Sequence, residues 1–273
     1  MHWRVLFILL TVFGCRISCL GQNSGVALAE IKAAADAGDP AAQDKLAQQF
    51  ILRTDTKQAE FWYRKAAEQG YAHAQGKLGD MLLNRSRFSV NGTPVQRAAM
   101  SDEGLKWATL AANQGDKLGQ ADLAGVCLEG KLVKQDLIEA YKWGDLAAQG
   151  SMIDTATISG RSTRDSAILK MTPDQISEAK KRVAAFIPHV PGKDELPEPS
   201  WVGQIKLSGL SGAADHRLAI IGGATFSQGE TASVKVAGRT VKVHCLEIRE
   251  KSVLVEIDGL DKPRELFLGA AKP

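Results

Sequence analysis

A chain of 273 residues with 44% hydrophobic and 24% charged side chains is long enough for two packed domains and too apolar to be disordered. Its 34 basic and 31 acidic residues give a net charge of +3 without any block of like charge, so nucleic-acid and membrane-surface roles have no electrostatic footprint. Of the four cysteines, Cys15 and Cys19 fall in the leader while Cys127 and Cys245 lie in different halves of the chain. No metal-ligand spacing arises. The latter pair reads as two buried small hydrophobes, with a single cross-domain disulfide as the alternative.

Residues 1–21 have the pattern of a secretory signal peptide: Arg4, an apolar stretch Val5–Gly14, then Cys19-Leu20-Gly21 before Gln22. The apolar run is too short to span a bilayer by itself. Export with cleavage is expected, with lipid attachment at Cys15 or Cys19 as the alternative and a retained cytosolic leader as a third.

From Val26 the apolar period is helical. Ala27–Ala37 makes the first expected helix and Gly38-Asp39-Pro40 its stop, with Asp39 placed to cap the next helix and Pro40 in its first turn. That helix runs to about Leu52, and Lys57–Gln69 follows, with Ala59, Trp62, Tyr63, Ala66 and Ala67 on one face. Tyr71–Leu83 begins another pair. Asn84–Asp102, with Asn91-Gly92 and Pro94, is expected as an inserted loop replacing the short turn; it carries Arg85, Arg87 and Arg97 beside Phe88. A long loop in a compact array is either a tolerated surface insertion or a functional element. Glu103–Gln114 closes that pair.

Leu118–Gly150 is one complete unit: helix Gln120–Leu128, a turn around Gly130, and helix Leu137–Ala148. Ser151–Ser166 is weakly patterned, a degraded helix or an irregular connection. Thr172-Pro173-Asp174-Gln175 then opens a last helix, Pro173–Phe186, with a capping-box signature.

Four stops share one signal: Ala34-Ala35-Asp36-Ala37-Gly38, Ala66-Ala67-Glu68-Gln69-Gly70, Ala111-Ala112-Asn113-Gln114-Gly115 and Ala147-Ala148-Gln149-Gly150. Their glycines stand 32, 45 and 35 residues apart, the spacing of a helix-pair repeat with one insertion. Such a unit cannot bury its apolar face alone, so the pattern implies a solenoid over residues 26–187. Trp62, Trp107 and Trp143 precede three stops and read as core wedges.

Pro188–Pro199 holds four of the nine prolines and reads as a semi-rigid linker over 188–200, able to hold two bodies apart by up to roughly 35 Å. Beyond it, over 201–270, the period is two. Ile205 and Leu207, Leu218 and Ile220, Val234 and Val236, Val241 and Val243, Val253, Val255 and Ile257, and Leu266 and Leu268 form six alternating runs. Ala237-Gly238 is placed for a tight hairpin. Ile221, Leu246, Ile248 and Leu254 fall on the opposite faces and need cover, so a small β-barrel or sandwich is expected.

Trp62–Gly70 with Ala72-His73-Ala74-Gln75-Gly76-Lys77-Leu78-Gly79 resembles the Sel1-like repeat, a relative of the tetratricopeptide repeat. So does Leu128-Glu129-Gly130 with Asp136, Glu139–Trp143 and Ala147–Gly150, and Met171–Ile176 resembles the usual ending of such arrays. The resemblance covers about residues 27–186. It departs at Leu132, where a glycine is usual, at the last stop, which is one residue short, and at the insertion 84–102. It implies a helix-turn-helix array that binds proteins or peptides. The tail, roughly 204–268, is similar to the periplasmic domain of the pilus lipoprotein PilP and the related secretion-pathway homology region. The residues carrying this are Arg217–Gly223, Phe226, Gly229-Glu230, Val236-Ala237-Gly238, Val243, Ser252-Val253 and Arg264-Glu265-Leu266. That similarity implies an all-β module docking envelope components of a secretion or pilus type.

No catalytic constellation is found, and no catalytic residue, metal ligand or cofactor is expected. His2, His73, His189, His216 and His244 have no metal-ligand partner at usable spacing. Gly209-Leu210-Ser211-Gly212 has its second glycine one place early for a nucleophile elbow, and Ser177-Glu178-Ala179-Lys180 lacks the companion motif of penicillin-recognising enzymes. His73 and Lys77, one turn apart, read as a solvated helix edge. The expected function is an exported adaptor whose array binds a peptide or protein and whose β-module docks a second envelope protein. The competing reading is a wall-ligand binder or hydrolase using the groove as a cleft. Convergent buried ionisable groups in the groove would favour the cleft, and scattered polar groups the adaptor.

Overall fold

A computed structural model describes residues 28–88, 92–151, 153–192, 195–199, 201–212, 216–260 and 262–269. The expected leader lies outside them. The chain divides into two compact units, residues 1–196 and 197–273. Among the described residues the first is all helical and the second holds two antiparallel sheets.

The helices are α1 (28–36), α2 (Pro40–Leu52), α3 (Thr56–Ala67), α4 (Ala72–Phe88), α5 (Pro94–Asn113), α6 (Lys117–Glu129), α7 (Leu137–Ala147), α8 (Thr155–Ile168) and α9 (Pro173–Ala184). Side-chain caps start seven of them: Asp39, Asp55, Thr93, Asp116, Asp136, Asp154 and Thr172 accept from the first turn. Thr172 and Gln175 close the capping box expected of them. At the stops Gly38, Gly70 and Gly115 take φ of 103°, 87° and 91°, a left-handed conformation that glycine adopts without a Cβ penalty. The shortened fourth stop behaves differently, since Gly150 stays outside that region.

A buried glutamine ties each pair to the one before. Gln43, Gln75 and Gln120 donate to the carbonyls of Ala35, Ala67 and Ala112 at 3.2, 3.1 and 3.3 Å, each eight residues back. The stop glutamines add a second tie, Gln69 to Gln43 at 2.8 Å and Gln114 to Gln75 at 2.6 Å. Carbonyls left open at a helix end are thereby satisfied in the interior. In α8 it is Arg161 that donates to the corresponding carbonyl, Ala148, at 3.5 Å, while the buried Thr157 bonds its own cap, Asp154, at 2.9 Å.

The pairs cross on small residues. A Cβ at Gly79 would stand 2.9 Å from the Ala108 nitrogen, and one at Gly160 would stand 2.5 Å from the Ala147 Cβ. Trp62, Trp107 and Trp143 are buried between helices as expected.

Three expectations change. Residues 84–102 are not a projecting loop: α4 runs on to Phe88 and α5 starts at Pro94 behind a Thr93 capping box, so most of the insertion lengthens two helices. The region 151–166 contains a full helix, α8, whose Gly160 lets its backbone meet Gly144 and Ala147 of α7. Within the expected linker, the described residues 188–192 and 195–196 belong to the first unit. The His189 nitrogen donates to the Asn113 carbonyl at 2.8 Å, Pro188 lies beside Gly115, and Leu196 lies beside Gly70.

The second unit has β1 (Leu207–Ser211), β2 (Leu218–Ile221) and β3 (Ala224–Ser227) in one sheet, and β4 (Thr231–Val236), β5 (Arg239–Ile248), β6 (Ser252–Ile257) and β7 (Arg264–Phe267) in the other. All pairs are antiparallel neighbours in sequence, the sheets are not closed, and both bury side chains in one core, giving a sandwich rather than a barrel. β2 faces the other way from expectation: Ala219 and Ile221 are buried while Leu218 and Ile220 are 38% and 37% exposed. Ala219 pairs with the buried Phe226, and the small side chain leaves room for the ring. Leu268 is likewise exposed. A bulge at Leu246 shifts the alternation of β5, which brings Ile248 onto the buried face with Val243 and Cys245.

Candidate functional site: the wall of first helices

Each pair contributes its first helix to one wall. α4 touches α6, and α6 touches α8. The buried glutamines fix the register, because each must reach the carbonyl behind it. Counting two residues on from each gives Lys45, Lys77 and Asp122; counting five gives Gln48, Asp80 and Gly125. These positions are equivalent in the repeat, yet the first changes from lysine to aspartate at α6 and the second differs in every copy.

Along α4, His73, Lys77, Asp80, Asn84 and Arg87 succeed one another at intervals of three and four residues, so they share a stripe. His73 Nδ1 lies 2.7 Å from Oδ1 of Asp44 on α2, whose side chain is 5% exposed. That hydrogen bond holds the His73 pKa above its ordinary value, against the opposing effect of burial. Asp116 caps α6 through Gly119 and sits where any side chain at residue 76 would collide with it, which is why α4 carries glycine there. Burial raises the Asp116 pKa.

Asp80 and Asp122 bring two carboxyls from α4 and α6 into the same field. Asp80 accepts from Asn84 at 2.6 Å, and burial raises its pKa. Asp122 as a residue is intermediate in exposure, but its Oδ2 is withdrawn from solvent and accepts no hydrogen bond among the described residues. Burial first, and then the Asp80 charge, push its pKa well above the carboxylate range. Lys77 and Arg87 oppose that rise from α4, yet Arg87 is drawn to Glu129 at 3.6 Å. The wall therefore carries convergent perturbed ionisable groups, which the sequence pattern did not lead one to expect.

The residues singled out from sequence scatter. His73 is held on Asp44 and is no free helix edge. Arg85 pairs with Glu60, Arg87 with Glu129, and Arg97 donates to the Gly92 carbonyl, leaving Phe88 as an exposed apolar side chain of that region. Ser177 and Lys180 lie exposed on amphipathic α9. Gly209–Ser211 belongs to β1. His189 pairs with Glu195 at 3.1 Å, and His244 with Thr231 at 2.8 Å. Asp80, Asp116 and Asp122 were missed. Asp122 stands out only once the structure shows which glutamines are buried, because in that register it is the acid where the preceding copies carry Lys45 and Lys77.

The β-unit has its own shallow cleft of about 410 Å³ on the four-stranded sheet, lined among others by Thr231, Lys242, His244, Glu256, Asp258 and Lys262. Thr231, His244 and Glu256 form one cross-strand row. Charges of both signs alternate across it.

Among the described residues no group of three histidine, cysteine or acidic side chains is placed to hold a metal ion, and no helix is long and apolar enough to cross a membrane. No family model matches the chain. A sel1-like repeat-containing protein of Acanthamoeba polyphaga mimivirus is 31% identical over 100 residues, which is 29% of this chain and 19% of that protein. A protective antigen of uropathogenic Escherichia coli strains, displaying an SLR fold, is 25% identical over 69% of this chain and 37% of that one, with a TM-score of 0.47. Over that 100-residue stretch the chain resembles a Sel1-like repeat protein, and it spans well under two thirds of the length of either protein.

Proposed function

We propose that the protein is an exported adaptor whose wall of first helices binds a peptide or protein partner. The observation that carries this reading is the wall itself: repeat-equivalent positions on α2, α4 and α6 vary on a constant buried frame, Lys45 and Lys77 giving way to Asp122 and Gln48 to Asp80 and Gly125. Stacked repeats of this kind present extended surfaces rather than enclosed pockets. The β-unit supplies a second docking surface, through its mixed-charge cleft or by strand addition at an edge strand such as β1 or β7. Secretion- or pilus-type envelope proteins are the partners implied by the similarity of the tail to PilP. Export rests on the sequence of residues 1–21.

Photo-crosslinking in the native host tests the reading. A crosslinker at Lys77 or Asn84 on the wall is expected to trap a protein, and one at the exposed Lys106 of α5 is not. Equal trapping from both faces, or none from the wall, overturns it. One observation favours a second reading, a wall-ligand binder or hydrolase. Asp80 and Asp122 keep their protons to higher pH than ordinary carboxyls, as a general acid must. Turnover of cell-wall glycan fragments, lost in Asp122→Asn, would establish it.

A further inference from the structure

We propose that the wall binds an acidic side chain of the partner at the corner formed by Lys45 of α2 with His73 and Lys77 of α4. The inference rests on the adaptor reading and adds the chemistry of what is bound.

His73 is the point of departure. Its Nδ1 lies 2.7 Å from Oδ1 of Asp44, and Oδ2 of that buried carboxylate accepts from Gln48 at 2.8 Å. An ionised carboxylate only accepts, so Nδ1 carries the proton and is turned towards α2. Nε2 then lies on the far side of a side chain that is 40% exposed, and it has no partner among the described residues. Stacking does not ask for this pair. One residue beyond the buried glutamine, where α2 carries Asp44, α4 carries Gly76 and α6 carries Ala121. Those small residues simply receive the next helix: Asp116 and Gly119 lie against Gly76, and Ala156 clusters with Ala121. The histidine and its carboxylate belong to the α2–α4 junction alone.

Lys45 and Lys77 stand at equivalent places on neighbouring first helices, so roughly one helix spacing of 8–10 Å separates their backbones. Neither forms an ion pair within 4 Å among the described residues. His73 and Lys77 lie one turn apart on one side of α4. Counted in full, these three cations face three acids, Asp44, Asp80 and Asp116, so net charge selects nothing. Direction does. Asp44 is enclosed with both oxygens bonded, Asp116 caps α6 through Gly119, and Asp80 accepts from Asn84. Burial raises the pKa of both Asp80 and Asp116, as befits acids turned inward. The donors left for a ligand are the two ammonium groups and Nε2 of His73. Charge-assisted hydrogen bonds from two helices would converge on a carboxylate placed among them. His73 contributes only when charged. With its Nδ1 proton given to Asp44, the neutral ring presents a bare Nε2 lone pair, which repels a carboxylate. The Asp44 bond holds the His73 pKa above its ordinary value; burial and Lys77 oppose the rise, and the Asp44 and Asp116 charges support it. Affinity is therefore complete at low pH and lost as pH rises through the folded value of His73.

The test uses the full chain with fluorescent hexaglutamate, amidated at its C-terminus, and hexaarginine as control, read by anisotropy at physiological ionic strength. Lys45→Gln and Lys77→Gln each remove one donor and are expected to weaken hexaglutamate about tenfold, the size of a lost charge-assisted hydrogen bond. Wild-type affinity should fall as pH rises from about 6 to 8, and His73→Gln should abolish that dependence. Asp44→Asn reports positioning: the pH midpoint of binding should move down, a change that a purely structural role would not produce. Lys106→Gln, exposed on α5, is expected to change nothing. Wild-type affinity in both Lys45→Gln and Lys77→Gln overturns the proposal, as does an equal loss in Lys106→Gln. A pH-independent affinity, or hexaarginine bound as tightly as hexaglutamate, overturns it too. Hexaglycine with a free C-terminus is expected not to bind; if it does, the ligand is a chain end and the assignment to acidic side chains is wrong. Crosslinking at Asn84 separates this from the adaptor reading. Undiminished protein trapping in Lys45→Gln leaves the adaptor standing and removes the site. Hexaglutamate binding without any trapped protein does the reverse.

Discussion

The two units solve the same burial problem with opposite materials. At its crossings the helical unit packs on alanine and glycine: Ala47, Ala59, Ala66, Ala67, Ala74, Ala108, Ala111, Ala112, Ala140 and Ala147 are fully buried, and larger side chains such as Tyr63, Leu78 and Leu82 fill the space between. The β-unit packs on Phe226, Ile221, Val202, Val243, Val253 and Val255. In the first, backbone approaches backbone and added volume is the danger. In the second, long or branched side chains fill the space between sheets and removed volume is the danger. A repeat must fit its neighbour on both sides, so small residues at the crossing protect the whole stack. A sandwich closes once and can use bulk.

The largest break in that contrast should come from Phe226→Ala. It deletes a fully buried ring facing Ala219, and such truncations cost about 3–5 kcal/mol. With Trp201 in the β-unit and Trp62, Trp107 and Trp143 in the helical one, ¹⁹F-tryptophan spectra during urea unfolding report the units separately. The Trp201 midpoint should fall while the others hold. A common shift would mean that the two units fold as one.

The complementary test adds volume. Gly79→Val pushes methyl groups into the Ala108 backbone and is expected to cost about 1–3 kcal/mol, read at the helical tryptophans. Gly125→Ala is its control on the same wall. Nothing lies within 4 Å of that Cβ, so only helix propensity acts, and a gain of about 0.5–1 kcal/mol is expected. If both variants lose stability, crossing geometry is not what selects the glycines.

Next comes pH, where the helical unit carries the raised carboxyls and histidine while the β-unit carries exposed carboxylates, Glu230, Glu247 and Glu265, held low by hydrogen bonds. Asp122 has a raised folded pKa, so above its unfolded value the folded state binds more protons than the unfolded one. Stability is then fullest below the unfolded value near ~4 and falls as pH rises towards the folded one. His73 acts in the same direction at higher pH. Its raised pKa contributes stability that is complete below the unfolded value near ~6.5 and is lost as pH rises through the folded one. Asp122→Asn should therefore raise the unfolding midpoint at neutral pH and lose that advantage in acid. His73→Gln should flatten only the upper part of the profile. An Asp122→Asn chain no more stable than wild type at neutral pH would show that the carboxyl is compensated after all.

The sequence displayed the frame better than the wall. Proline, capping aspartates and Gly38, Gly70 and Gly115 act through local backbone geometry, so their positions could be read directly. The buried glutamines could not, because Gln43, Gln75 and Gln120 are polar and make sense only once the preceding carbonyl is brought against them. Residues 84–102 looked like a loop because Asn91-Gly92 and Pro94 mark a turn, but the flanking residues still favoured helix and Pro94 simply begins one. β2 was misfaced because Leu-Ala-Ile-Ile offers two nearly equal alternations, and only Phe226 opposite Ala219 decides between them. The acids of the wall were hidden for a related reason. A charged residue in a helix usually means solvent, and Asp122 departs from that only through its neighbours on α4.

The smallest expected effect lies in a turn that was legible. Ala237-Gly238 links β4 to β5 across the Val236–Arg239 pair, and both residues have positive φ, 49° and 74°. A two-residue hairpin of this hand suits the twist of the strands but asks a left-handed conformation of its first residue. Glycine meets that demand freely and asparagine easily, whereas alanine crowds its Cβ against the carbonyl. Gly238 already satisfies the second position. Ala237→Asn should therefore stabilise the β-unit by roughly 0.5–1 kcal/mol, raising the Trp201 midpoint and leaving the helical ones unmoved. Ala237→Gly should gain less, because its freedom in the unfolded chain offsets part of the relief. If asparagine and glycine both destabilise, the alanine methyl packs usefully in the hairpin and the strain assigned to it is not there.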